Sequence, residues 1–349
     1  MTSSDVKRFA QDAGFDLCGI APAESFPELS FLNDWLDRGY AGEMRYMERT
    51  KRRRSDVRRV LPSARSVIVL ATLYNTDRPY STEYDNPKEA TISRYAWGAD
   101  YHVILQERTE MLLERLRTES SESFDARCYV DTGPIQERVY AQYAGLGWIG
   151  KNTCLIHPEQ GSWFFLSEII TSLSLDIDTP QLDQCGSCNL CLEACPTNAL
   201  REPGVLDSTR CLSYLTIELR GPIPELHRPD LGNHVYGCDI CQDVCPYNAD
   251  AVISDDPAWQ PRLAFDRPSL VSLWNQDDAD LEQKLSTSAM SRAGVIGLRR
   301  NISTALGNSG DVEAVEELNK PHAAVSCGEP LVSEHVTWAQ QRLRNHCKS

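Results

Sequence analysis

The chain has 349 residues, 41% of them hydrophobic and 24% charged, with 35 Lys and Arg against 50 Asp and Glu for a net charge of −15. This is the composition of an ordinary globular protein, which excludes a disordered or low-complexity chain, and the acidic balance excludes a surface coated for general nucleic-acid binding. At roughly 150 residues per domain, the length suits two or three units rather than one core.

The N-terminus, MTSSDVKRFAQDAGFDLCG, has no apolar h-region and no twin-arginine, and nowhere do about eighteen apolar residues run together. The sequence therefore reads as cytoplasmic and not membrane-spanning. Residues 4–14 and 29–48 read as amphipathic helices, and SVIVLATLY (66–74) as a buried strand. Between them, Arg45, Arg49, Lys51, Arg52, Arg53, Arg54, Arg58, Arg59 and Arg65 face only Glu48 and Asp56, nine basic residues against two acidic ones and a local balance of +7. Such a run is either a solvated face or a binding surface for something polyanionic, a phosphate-bearing cofactor or an RNA backbone.

A polar loop (75–89) precedes SRYAWGADYH (93–102), and a long helix is expected over 101–121 with Val103, Leu105, Leu112, Leu113 and Leu116 as its apolar stripe. FDARCYVDTG then reads as a strand entering a turn, and PIQERVYAQYAG as a helix opened by Pro134. This alternation up to about residue 175 points to an α/β layer domain. After about residue 265 the pattern is helical, with 291–308, DVEAVEELN and SEHVTWAQQRLRNH suggesting a small HEAT-like element.

Eight of the thirteen cysteines form two linked runs, Cys185-x2-Cys188-x2-Cys191-x3-Cys195-Pro196 and, after an isolated Cys211, Cys238-x2-Cys241-x3-Cys245-Pro246. In bacterial ferredoxins three cysteines of such a run hold one [4Fe–4S] cubane, and the fourth, before proline, crosses to the other. By that rule Cys185, Cys188, Cys191 and Cys245 hold one cluster, and Cys195, Cys211, Cys238 and Cys241 the second. Cys211 completes the second set because Val235 stands where a symmetric motif would place a cysteine. Structural zinc, the alternative, uses separated pairs of ligands and fits this spacing less well. Cys18, Cys128, Cys154, Cys327 and Cys347 have no framework spacing and read as free thiols, small hydrophobes in effect.

Two motifs mislead. Gly145-x-Gly147-x-x-Gly150-Lys151-Asn152 approaches both a dinucleotide fingerprint and a P-loop, but a helix precedes the glycines and a strand-like segment follows, the reverse of what either needs. The glycines read instead as a close backbone approach to a large ligand, with Lys151 at its edge. Asp100-x-His102 begins the Asp-x-His-x-x-Gly segment of some corrinoid proteins but continues to Leu105; the ordinary reading of His102 is a satisfied polar residue opening a helix.

Taken in order, GEMRYM (42–47), SRYAWGADYH, YVDTGPIQER (129–138), AGLGWIGKN (144–152), GSWFFLSE (161–168), the cysteine array, CLSYLTIELRG (211–221) and LRRNISTALGN (298–308) resemble the epoxyqueuosine reductase family, over nearly the whole chain. The resemblance implies an α/β (α+β) cobalamin-binding catalytic domain (1–178), a ferredoxin-like domain with two [4Fe–4S] clusters (179–262) and a C-terminal HEAT-like helical region contacting tRNA (263–349). It implies reduction of epoxyqueuosine to queuosine at the wobble position of tRNAs with GUN anticodons, with cobalamin cycling between cob(II)alamin and cob(I)alamin. The failed Asp-x-His motif is consistent with a cobalamin that has no histidine below the metal. By motif match Asp131 is the proton donor, and a carboxyl desolvated beside a corrin is expected to have a raised pKa; without the resemblance Asp131 reads as a strand-end cap.

Arg54, Arg94, Tyr95, Tyr101, Arg138, Lys151 and Asn152 are the candidates for the corrin side chains and nucleotide tail. Arg220, Arg292, Arg299 and Arg300 join the basic run as candidate phosphate contacts, with Tyr214 and Trp97 either in the base pocket or in the core. The implied partners are the anticodon stem-loop and an unidentified electron donor, with no membrane and a monomeric state. A cobalamin-dependent dehalogenase and a simple electron carrier are the competing readings. The missing twin-arginine speaks against the first, and the roughly 180 residues before the clusters against the second.

Overall fold

The computed structural model describes residues 1–84, 86–320 and 325–346; Cys347 lies outside them. The chain begins with α1 (Ser3–Asp12), opened by a Thr2–Asp5 capping box, and β1 (Leu17–Pro22). The helix expected over 29–48 is in fact two, α2 (Phe31–Asp37) and α3 (Arg45–Arg54). Gly39 and Gly42 break it at φ 73° and 55°. At Gly42 only glycine fits, because a Cβ would lie 2.3 Å from the Tyr214 hydroxyl.

β2 (Ser66–Leu73) is buried along its whole length, as its apolar run requires. After β3 (Thr91–Ile92), α4 (Tyr101–Glu119) is capped by Asp100, whose carboxylate accepts the His102 N–H at 3.0 Å. Val103, placed in its apolar stripe from sequence, is exposed. β4 (Ala126–Tyr129) leads through a loop into α5 (Glu137–Tyr143), which starts three residues later than Pro134 would have it. A short hairpin, β5 (Trp148–Ile149) and β6 (Leu155–Ile156), precedes β7 (Phe164–Thr171).

The main sheet has the order β1-β2-β7-β4, and every pairing in it is antiparallel. Alternation along the two central strands divides the core. Ile68, Leu70, Phe165 and Ile169 pack toward Val6, Phe9, Leu105 and Leu112 of α1 and α4. Val67, Val69, Ala71, Phe164 and Ile170 pack on the other face, toward Val139, Tyr140 and Ala141 of α5. Helices on both faces of an antiparallel sheet make this an α+β layer.

The cysteine-rich segment holds α6 (Leu190–Ala194), the hairpin β8 (Leu200–Glu202) and β9 (Val205–Leu206), α7 (Leu212–Ile217), β10 (His234–Tyr236) and α8 (Ile240–Asp243). β10 pairs in parallel with β3, tying this segment to the first half of the chain. Five helices follow: α9 (Leu270–Trp274), α10 (Asp278–Leu285), α11 (Gly294–Asn308), α12 (Val312–Asn319) and α13 (Pro330–His346). They close around α11, which is buried from Leu298 to Gly307, and share one apolar cluster with Ile92, Trp97, Val235 and Tyr236. Trp97 therefore belongs to the core, its indole N–H donated to the Ile92 carbonyl at 2.8 Å.

That packing overturns the phosphate-contact reading of Arg299 and Arg300, which are 0% and 1% exposed. Arg300 donates to the carbonyls of Leu215, Leu219 and Gly221 at 2.7–2.8 Å. Arg299 donates to those of Trp274 and Gln276 and lies 3.3 Å from Asp278. Both guanidiniums tie α11 to backbone carbonyls of neighbouring segments, a use no formal charge count reveals. Replacing Arg299 by Glu should therefore lower stability by about 3–5 kcal/mol in urea titrations, since it buries an unpaired charge of the wrong sign. A variant as stable as the wild type would contradict this packing role.

Candidate active site

Two adjoining cavities, of about 770 and 360 Å³, lie where α3, the start of α4, the loop before α5 and the cysteine-rich segment meet. They share Tyr95, Tyr101, Asp131, Glu137, Arg138 and Thr153 as common wall. Cys195, Cys211, Cys238 and Cys241 all line the smaller one. Cys191 lies in electrostatic reach of Cys185 and Cys188, and Cys245 of Cys185 and Cys191. Cys195, Cys211, Cys238 and Cys241 thus share one cavity with Cys154, while Cys185, Cys188, Cys191 and Cys245 neighbour one another. Among the described residues no three His, Cys, Asp or Glu side chains converge on a single metal ion. Four thiols to each set, in ferredoxin spacing, are the donors that two [4Fe–4S] clusters take.

Asp131 sits at φ 54°, a left-handed backbone that an L-residue adopts at a cost and that turns its carboxyl into the larger cavity. It lies deep below the molecular surface yet is 58% exposed to the cavity. His102 joins it to Asp100: Nδ1 is 2.8 Å from Asp100 Oδ1 and Nε2 is 3.3 Å from Asp131 Oδ2. Burial draws the His102 pKa down, but the hydrogen bonds and charges of the two aspartates outweigh it and raise it to about 9. Burial likewise pushes Asp131 up, and His102, Tyr101 and Arg138 more than offset it, so the carboxyl is held below its ordinary value. The raised Asp131 pKa expected from sequence is not found: the imidazolium beside it decides the sign. With both ring nitrogens engaged, His102 is also not free to ligate cobalt.

The other candidates divide. Tyr95, Tyr101, Arg54 and Arg138 line the larger cavity, Tyr101 stacked on Phe165 with centroids 4.4 Å apart. Arg54 is anchored by Thr50 Oγ1 at 2.9 Å and Arg138 by the Thr153 carbonyl at 3.1 Å. Asn152 lines the smaller cavity and donates to the Cys241 carbonyl at 3.2 Å. These hydroxyls, guanidiniums and amide give a large group with amide edges several hydrogen-bonding partners, so cobalamin fits this wall.

Arg94 does not belong to it. Its guanidinium is buried between Tyr80, Trp97 and Trp163 and donates to carbonyls of Thr76, Arg78 and Pro79. Lys151 is likewise used inside the protein: its amine donates to the Gly186 and Cys188 carbonyls and to Asn189 Oδ1 at 2.8–3.0 Å, bracing the first cysteine loop. The nearby glycines approach protein rather than ligand, since a Cβ at Gly147 would sit 2.2 Å from the Ile156 carbonyl. Tyr214 is buried against Gly42 and accepts the Glu43 N–H at 2.7 Å. Arg220 is exposed, and Arg292 stands at the cavity rim, half-exposed and 3.0 Å from Glu218.

Sequence reasoning missed two residues here. Glu137 lines both cavities beside Asp131, and Glu168 lies behind it, 0% exposed on β7. A lone acid in FFLSEIIT, an otherwise apolar buried strand, is the signal that could have found Glu168.

The family model described as "4Fe-4S double cluster binding domain" matches residues 184–248, and that described as "Epoxyqueuosine reductase QueG, DUF1730" matches 54–132. An epoxyqueuosine reductase from Gloeobacter violaceus is 44% identical, over 89% of this chain and 97% of that protein. The chain belongs to the epoxyqueuosine reductase family. A solved epoxyqueuosine reductase with a tRNA-Tyr epoxyqueuosine-modified stem loop matches at a TM-score of 0.86 and 30% identity, covering 97% of this chain and 89% of that one. Another, from Bacillus subtilis with its aspartate-bearing catalytic loop swung out of the active site, matches at 0.84 and 29%, covering 97% and 90%.

The His102–Asp131 pair has a measurable sign. Because the His102 pKa lies above the ordinary 6.5, its contribution to stability is complete below 6.5 and is lost as pH rises through about 9. Urea titrations should therefore show Asp131→Asn less stable than wild type at pH 6, with the gap closing by pH values above 9. A gap independent of pH would mean that the pair is not ionic.

Proposed function

We propose that this chain reduces epoxyqueuosine to queuosine at the wobble position of tRNAs with GUN anticodons, the final step of queuosine formation, using cobalamin and two [4Fe–4S] clusters. The observation that carries the reading is the shared cavity wall: one cysteine set on one side, and the Asp131–His102 pair facing the same space. When bound, cobalamin supplies a metal centre that takes electrons singly and gives them up to a substrate needing two. Cys195, Cys211, Cys238 and Cys241 would hold the cluster next to the cavity. Cys185, Cys188, Cys191 and Cys245 would hold the one farther from it, where an external one-electron donor is met. Tyr95, Tyr101, Arg54, Arg138 and Asn152 would seat the corrin.

Asp131, recharged through His102, is the proton donor to the epoxide oxygen. The left-handed backbone at Asp131 supports a loop with two positions, as in the Bacillus subtilis enzyme with its swung-out catalytic loop. The wobble base must leave its stack to enter the cavity. The exposed Arg45, Arg49, Lys51, Arg52 and Arg53 of α3, with Arg220 and Arg292, are the phosphate contacts for the anticodon stem-loop. In functional terms the chain divides into a cobalamin-binding unit (1–178), a cluster unit (179–262) and a helical unit (263–349), working as a cytoplasmic monomer. No helix among the described residues is long and apolar enough to cross a membrane.

Anaerobic incubation of the cluster-loaded protein with epoxyqueuosine tRNA, cobalamin and a strong reductant, followed by nucleoside mass spectrometry, should show cobalamin-dependent loss of one oxygen. Asp131→Ala should slow this by about 10²–10⁴-fold while retaining cobalamin absorbance; unchanged epoxyqueuosine with all cofactors bound would sink the assignment. The double variant Arg49→Glu/Arg52→Glu should bind the stem-loop more weakly and with a shallower dependence on salt, by about one unit of slope for each phosphate left unpaired. Wild-type affinity and slope would move the tRNA surface elsewhere.

A further inference from the structure

Removing an epoxide oxygen as water consumes two electrons and two protons, whereas Asp131 carries at most one proton at a time. Resting on the reaction assigned above, we propose that Glu137 and Glu168 form a buried carboxyl pair that stores the second proton and returns it to Asp131. In the balanced reaction one carbon–oxygen bond breaks and the oxygen takes the first proton, passed from the His102 imidazolium through Asp131, becoming a hydroxyl. The second bond then breaks, and the hydroxyl leaves as water with the second proton. The two electrons, drawn one at a time from an external low-potential donor through the clusters, end in the alkene.

The geometry starts from strand register. Glu168 stands opposite Val69 and Tyr129 on the neighbouring strands of β7, on the sheet face that packs against α5. It is wholly buried, and among the described residues neither of its oxygens meets a hydrogen-bond donor. Glu137, in the first turn of α5, also has one oxygen sealed from solvent without a donor. The two carboxyls lie within hydrogen-bond reach of each other. Two carboxylates so placed would repel each other, whereas a proton on either supplies a donor to oxygens that have none.

The surrounding charges do not relieve them. Asp131 adds a third negative group; His102 and Tyr101 are hydrogen-bonded to Asp131; Arg138 favours Asp131 and Glu137 alike, and Arg54 is held by Thr50 and the Ile135 carbonyl. Burial raises Glu137 to about 8 and, with the charge of Glu137 behind it, raises Glu168 well above the usual carboxylate range. At neutral pH the pair thus carries protons while Asp131 does not. Glu137 lines the same cavities as Asp131, which gives the stored proton a short exit. Packing alone does not account for Glu168, since an apolar residue would fill an interior strand position without a buried acid.

The test uses the holoenzyme. Difference infrared spectra at pH 7 should contain the carbonyl stretch of a protonated carboxylic acid that Glu168→Gln removes. Single-turnover reduction of an epoxyqueuosine stem-loop should fall in rate as pH rises through about 8. In both Glu137→Gln and Glu168→Gln it should be about 10-fold or more slower, with that falling limb displaced. Cobalamin absorbance and the electron paramagnetic resonance of the clusters report whether each variant has folded and loaded. A wild-type spectrum without the acid band overturns the store, as do variants with wild-type rate and pH profile. Slowing with both band and falling limb unchanged also overturns it, by making the pair structural. If wild type leaves epoxyqueuosine intact, the assigned reaction fails, and the store's use with it, whatever the infrared band shows.

Discussion

Three carboxyl groups, Asp131, Glu137 and Glu168, crowd into one wall of the cavity, and the low dielectric there does not allow all three to be ionised. His102, made cationic by Asp100 and Asp131 together, takes up the charge of Asp131. What is left for the two glutamates is to hold protons. This electrostatic constraint favours one protonation state for each of these four groups: imidazolium, aspartate and two carboxylic acids. The site is therefore charged with protons before any electron arrives.

The sheet makes that constraint unavoidable. Eight residues of β7 lie between β2 and β4, and strict alternation sends Ser167 toward Thr109 of α4 and Glu168 toward α5. A one-residue slip would turn the acid to the other face, but the apolar sets on both faces of β2 and β7 fix the register. The α5 helix, beginning only at Glu137, then sets its own first-turn acid above Glu168 and leaves 131–136 as the loop that carries Asp131. A helix starting at Pro134, as the sequence suggests, would have drawn that loop into regular structure.

What the sequence makes legible follows from the range of the interactions involved. Cysteine spacing is local, and it makes the two-cluster segment legible, the isolated Cys211 entering only because Val235 is not a cysteine. The buried strand at 66–73, a continuous apolar run, and the helix at 101–119, with its apolar stripe, are likewise set by short spans of sequence. Arg94, Lys151, Arg299 and Arg300 mislead because a sequence shows formal charge and not the carbonyls that charge will meet. Each binds backbone oxygens from segments distant in the chain, and Arg300 finds its partners about eighty residues away. The break between α2 and α3 is hidden for the same reason, since Gly42 is required by Tyr214, which comes far later in the sequence.

Electron and proton supply meet in this architecture at one boundary. The cysteine set of the smaller cavity and the Asp131–Glu137 wall enclose a common space, so a charge delivered by one side is felt by the other. Adding an electron to a low-dielectric cavity is unfavourable unless positive charge follows it. On the proposed reaction, each electron that entered would raise the proton affinity of Asp131, which His102 otherwise holds low, and would draw a proton toward it from the imidazolium or from Glu137. On the same reaction, an aspartate ionised at rest suits the donor's role, because it becomes an acid only when there is an electron to accompany its proton.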